Sequence, residues 1–135
     1  MEDIKDELNK IKGTLLAQLQ PMVIILFGSY ARNTADSQSD IDIAFRANGV
    51  NKEKVFKLIQ ELETLTNKDI DLVNLDDIGD GFRYEILMSG ITLYCQDQYK
   101  FDLYKLDMFR EYLELNESRQ SIINNIKNGG TIYGK

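Results

Sequence analysis

The 135-residue sequence has no histidine, one cysteine and one proline. Without histidine there is no Ser-His or Cys-His catalysis, no imidazole general base and none of the familiar zinc sites. The lone Cys95 excludes an internal disulfide, and its place in the apolar "ITLYC" makes it a core residue rather than a nucleophile. Long hydrophobic runs are missing too. The longest, Met22 to Phe27, is far too short to span a bilayer. The charged, amphipathic opening "MEDIKDELNKIKG" suits neither a signal peptide nor an anchor, so a cytoplasmic protein is expected. Positive charge is in deficit. A net charge of −6 opposes general nucleic-acid binding, which depends on neutralising phosphates. It is compatible with a small nucleotide carried with magnesium, or with a basic protein partner. Chemistry here is left to carboxylates, hydroxyls, Lys or Arg, with a hard cation.

What is present has the periodicity of an ordinary globular chain. Ile4, Leu8, Ile11 and Leu15 sit at helical spacing and predict a helix from about Ile4 to Gln18. Pro21 ends the connection, and "MVIILF" reads as a buried central strand. A turn and one short helix from near Ser29 lead to a second strand, Asp40 to Arg46. Asn51 is a plausible cap for a helix from Lys52 to Leu65, followed by a third strand from Asp69 to Leu75. A short helix from about Phe82 closes at Gly90, "ITLYC" is a fourth strand, and a long amphipathic helix covers Tyr99 to Lys127. The expected fold is α+β (α/β): a small sheet of about four strands finished by a long C-terminal helix. One domain over 1–127 is expected, with its core at 22–95, its helical part at 99–127 and a mobile tail at 128–135.

Asp40 and Asp42 stand two positions apart on the second strand and so share one face, while Ile41 and Ile43 share the other. Adjacent like charges cost free energy unless something positive lies between them, although a wet edge strand is the bland alternative. Oxygen ligands without histidine or thiolate favour Mg²⁺ or Mn²⁺. "KDIDLVNL" repeats the pattern, with Asp69 at a strand entrance and Asp71 deeper. If the second and third strands pair, Asp71 meets Asp40 and Asp42. Three converging carboxylates suit two-metal phosphoryl transfer. Gly28 and Ser29 directly follow the first strand. Glycine lets backbone approach a ligand, and Ser29 at a helix start can face an anion, although most such pairs are plain turns.

Gly28-Ser29, ten intervening residues and Asp40-x-Asp42 resemble the signature of the DNA polymerase beta-like nucleotidyltransferase superfamily. "FGSYAR", "SDIDIA", "DIDLVNL" and "RYEILMSGITLY" resemble its minimal nucleotidyltransferase branch, and most of all the antitoxins of HEPN/MNT (type VII) toxin–antitoxin pairs. The resemblance implies a small mixed sheet with helices packed on one face. It implies that Gly28 and Ser29 hold nucleotide phosphates, that Asp40 and Asp42 ligate metals, and that Asp71 shares a metal and activates the attacking hydroxyl. The reaction implied is AMP transfer from ATP to a tyrosine of a cognate HEPN ribonuclease, with Mg²⁺ or Mn²⁺ as cofactor. A silent antitoxin that only masks its toxin is the alternative, and small-molecule transfer is a third. The family commonly has glycine where this chain has Asn33, the non-glycine residue type most tolerant of positive φ. Arg32 and Arg83 are candidate triphosphate or base contacts, or plain surface residues. Lys105 is a weaker phosphate candidate, and Tyr84 and Glu85 are assigned to the helix and its packing.

Overall fold

All five residues of β1 (Val23–Phe27) are buried, which is why this stretch is an unbroken apolar run rather than an alternation. In the computed structural model, which describes residues 3–129 and side chains as far as Leu115, β1 is flanked by two antiparallel neighbours. These are β2 (Ile41–Arg46) and β4 (Ile91–Cys95). On the far side of β2 lies β3 (Ile70–Asn74), paired to it in parallel, so the sheet order is β3-β2-β1-β4. A parallel pair needs a crossover, supplied by α3 (Lys52–Thr66). Its N-terminus is capped as the sequence indicates, with Asn51 Oδ1 accepting from the Lys54 N–H at 2.8 Å.

The remaining helices are α1 (Lys5–Leu19), the single turn α2 (Gly28–Ala31), α4 (Asp80–Ser89) and α5 (Gln98–Gly129). Alternation along the strands divides the apolar side chains into two layers. Ile24 and Leu26, with Ile41, Ile43 and Phe45 of β2, pack against Ile11 and Leu15 of α1 and Leu58 and Leu62 of α3. Val23, Ile25 and Phe27, with Ala44, pack against Ile86 and Leu87 of α4 and Phe101 of α5. The expectation of helices on one face is therefore corrected: a strand buried on both sides needs cover on both. That second cover is incomplete, and the uncovered end of the sheet is where the acidic residues lie.

Gly90 ends α4, as expected, but not by a left-handed turn. Its φ is −75°, and a Cβ there would overlap the Ile25 side chain and the Ile86 carbonyl. Arg83, a candidate phosphate contact in the sequence, is instead a latch. It donates to the Leu75 and Ile78 carbonyls, both at 2.8 Å, and pairs with Asp80. Tyr84 packs as expected, stacked on Tyr112 with ring centroids 4.3 Å apart. Lys105 lies over the Phe101 ring and beside Asp102, both on α5 itself. Cys95 is half-buried among the second layer. Along α5, Phe101, Tyr104, Met108 and Phe109 face the domain, whereas Tyr99, Leu103, Leu106 and Leu113 form an exposed row. Of the tail expected to be mobile, residues 128 and 129 end α5, and 130–135 lie outside the described residues.

Candidate active site

Where β1 stops, the chain must turn sharply to let α2 begin. Gly28 makes that turn at φ +74°, a conformation that only glycine adopts cheaply. The close approach is as demanding as the angle, because a Cβ on Gly28 would overlap Asp42 Oδ2. The turn is then closed from below. The Ser29 carbonyl accepts from the Thr34 N–H at 2.9 Å, and the buried Tyr30 donates its hydroxyl to the Asp36 carbonyl at 3.3 Å. Asn33 sits at φ 62°, so asparagine takes the left-handed place that glycine commonly fills, as the sequence indicates. Among the described residues no hydrogen bond engages the Ser29 hydroxyl.

Asp42 lies opposite Phe27 of β1 and opposite Asp71 of β3. The pairing on which the sequence reading depended is thus present, with the two carboxylates in register on adjacent strands. Asp40 precedes β2 by one residue and Asp69 precedes β3 by one. The Asp69 carbonyl accepts from the Ile41 N–H at 2.9 Å, which starts the pairing. Asp40 and Asp71 are exposed and Asp42 is half-buried.

The electrostatics record how close these groups are. Burial raises the Asp42 pKa from 3.8 to about 6, helped by the charges of Asp71 and Asp40 and opposed by that of Arg32. Arg32 is therefore a cation whose charge reaches Asp42. Asp40, Asp42 and Asp71 lie at the same end of the sheet, but among the described residues no group of three or more His, Cys, Asp or Glu side chains is placed to hold a metal ion. Chemically, the arrangement is an acidic, oxygen-only cluster beside an open backbone turn.

A cleft of about 150 Å³ adjoins Gly28, with Arg32 on one wall and Phe82, Glu85 and Ser89 of α4 on the other. The sequence reading missed it, having assigned Glu85 to helix packing. The available signal was the spacing of 82, 85 and 89, which puts these residues on one face of a helix. A larger cavity of about 460 Å³ lies between α1 and the sheet, lined by Ile4, Leu8, Leu26 and Leu93. It belongs to the opposite layer and touches none of the carboxylates, so its size does not make it the reactive site.

Known proteins resemble this chain in sequence and in fold. The Polymerase beta, nucleotidyltransferase family profile matches residues 9–99. Protein adenylyltransferase MntA of Shewanella oneidensis is 30% identical over 120 residues, covering 87% of this chain and 86% of that protein. A chain in the crystal structure of a toxin–antitoxin with AMP-PNP superposes with a TM-score of 0.78 at 30% identity, covering 89% of this chain and 98% of its own. Another, from a complex of tri-AMPylated Shewanella oneidensis HEPN toxin with MNT antitoxin, gives 0.75 at 27% identity, covering 93% of this chain and 99% of its own.

Proposed function

The chain belongs to the polymerase beta nucleotidyltransferase family, and from that premise we propose that it is an antitoxin that transfers AMP from ATP to a tyrosine hydroxyl of a cognate HEPN ribonuclease toxin. The observation that carries the reading is the Asp42–Asp71 register, with Gly28 pressed against the same Asp42 carboxylate. Similarity to an adenylyltransferase, and to an antitoxin bound to an AMPylated toxin, supports it.

Asp40, Asp42 and Asp71 would hold Mg²⁺, with Mn²⁺ as the alternative. The donors are all oxygen, which suits a hard cation, and the half-buried Asp42 carboxylate needs a positive neighbour. When bound, such cations neutralise charge developing on the α-phosphate and the leaving group. The Gly28–Ser29 turn seats the phosphates, because the missing side chain lets backbone come close and the Ser29 hydroxyl is free to donate. Asp71, exposed beside Asp42, takes the proton of the attacking tyrosine hydroxyl. The tyrosine oxygen bonds to the α-phosphorus, the bond to the bridging oxygen of the β-phosphate breaks, and pyrophosphate leaves.

In this reading residues 1–127 act as one unit in the cytoplasm, held to the toxin in a hetero-oligomer and without direct nucleic-acid binding. The net charge of −6 steers the chain toward a basic partner. No described helix is long and apolar enough to cross a membrane. The test is to incubate purified cognate toxin with this protein, ATP and Mg²⁺ and to weigh the toxin by mass spectrometry. AMP-sized additions on tyrosine are expected from the native chain and far fewer in the same time from Asp42→Asn. Inhibition of the toxin with no added mass would overturn the reading in favour of masking by binding alone.

A further inference from the structure

The cleft beside Gly28 has no task in the phosphate chemistry, yet it opens from the same turn that touches Asp42. Its aromatic wall is unusual for a surface. Phe27 is buried, but Phe82 is 43% exposed and meets Phe27 edge-on, with centroids 5.6 Å apart and planes at 78°. The contact covers only part of the Phe82 ring, and the rest is open to the cleft. Across the cleft stands the exposed guanidinium of Arg32, another planar group. At the α4 wall is Glu85, whose carboxylate forms no ion pair or hydrogen bond among the described residues, and one turn on is Ser89, whose hydroxyl donates to the Glu85 backbone carbonyl at 2.8 Å. A part-exposed aromatic ring, a planar cation and a carboxylate with no side-chain partner among the described residues, one short step from a phosphate seat, are the elements of a base site.

We infer that this cleft holds the nucleobase of the nucleoside triphosphate, stacked on Phe82 under Arg32, and that Glu85 selects adenine by accepting from its 6-amino group. The inference rests on the nucleotidyltransferase reading above and adds the determinant of base choice. Stacking on an aromatic ring tolerates any base, so discrimination falls to the carboxylate. A carboxylate can only accept. At position 6 adenine offers an amino donor, whereas guanine and hypoxanthine place a carbonyl acceptor there and carry their donors at N1 or beyond, so a carboxylate held against position 6 favours adenine.

The experiment measures binding by calorimetry, in the presence of Mg²⁺, of ATP, inosine triphosphate, GTP and inorganic tripolyphosphate, which lacks a base. The native chain should prefer ATP over the other two nucleotides by about tenfold or more, as expected where a polar group is left facing the wrong partner. Phe82→Ala should weaken ATP by about tenfold and leave tripolyphosphate unchanged. Phe82→Leu should fall between, and Glu85→Gln, at an exposed position, should remove most of the preference for ATP over inosine triphosphate. If all three variants bind every ligand as the native chain does, while Ser29→Ala binds ATP and tripolyphosphate less well, the base site is refuted and the phosphate site stands. If the native chain binds none of the four ligands, the nucleotidyltransferase reading falls and takes the base site with it.

Discussion

The two faces of β2 differ by one residue in sequence and by almost everything in physics. Ile41, Ile43 and Phe45 are fully buried beneath α1 and α3. Asp42, between them, turns to the other side, where α4 and the start of α5 cover Ala44 but stop short of the carboxylate. One face stabilises the fold. The other carries a half-buried acid among like charges, which opposes folding and, in the proposed reading, serves to hold a cation. Strand alternation is what lets a single segment serve both purposes.

The strongest way to break this contrast is to damage the sealed face alone. Phe45→Ala should cost about 3–5 kcal/mol of stability, read from urea melts, while AMP transfer per folded molecule stays near the native value in the cold. A large loss of specific activity in a folded variant would mean the faces are coupled after all. On the open face the effects should invert. Asp42→Asn should lower transfer by about 10²–10³-fold and leave the metal-free protein slightly more stable. Gly28→Ala tests the seam between the two, since it combines positive φ with overlap on Asp42. It should cost about 1–3 kcal/mol and abolish transfer as well, measured by melts and by mass spectrometry.

A smaller effect follows from pH. The Asp42 pKa is about 6 in the folded chain against 3.8 for the unperturbed group, so the folded state binds more protons than the unfolded one between those values. Stability without divalent cation should therefore fall as pH rises from about 4 to about 6, by no more than ~1 kcal/mol because solvent screens a half-exposed group. Melts at both ends of that window should show the drop, and Asp42→Asn should flatten it. The mildest change is Asn33→Gly. The left-handed turn is already accommodated at φ 62°, so stability should move by less than about 0.5 kcal/mol and transfer should be unchanged.

The order and type of every strand and α-helix could be read from the chain, though not the 3-10 turn at Leu75–Asp77, because period, caps and turn residues act over a few positions. Asn51 capped the helix it was expected to cap, and Asp42 and Asp71 met once β2 and β3 paired. What could not be read depended on how helices settle on the sheet. Arg83 became a latch for the β3–α4 connection, Glu85 turned to a cleft rather than to packing, and Leu106 and Leu113 faced solvent although their spacing fits an amphipathic helix. Even Gly90 ended its helix as expected for a different reason, steric closeness to Ile25 rather than backbone angle. Each of these is a matter of which surface approaches which, and no local pattern encodes that.

The parallel pairing of β2 with β3 also bears on when the protein can first work. Asp42 and Asp71 meet only after the whole of α3 has been laid down between them, and closing such a loop costs entropy before any contact rewards it. A nascent or half-folded chain that already owns its Gly28 turn still has an incomplete acidic cluster. On the proposed reading, assembly of the acidic cluster thus waits until β3 has been made and has paired with β2.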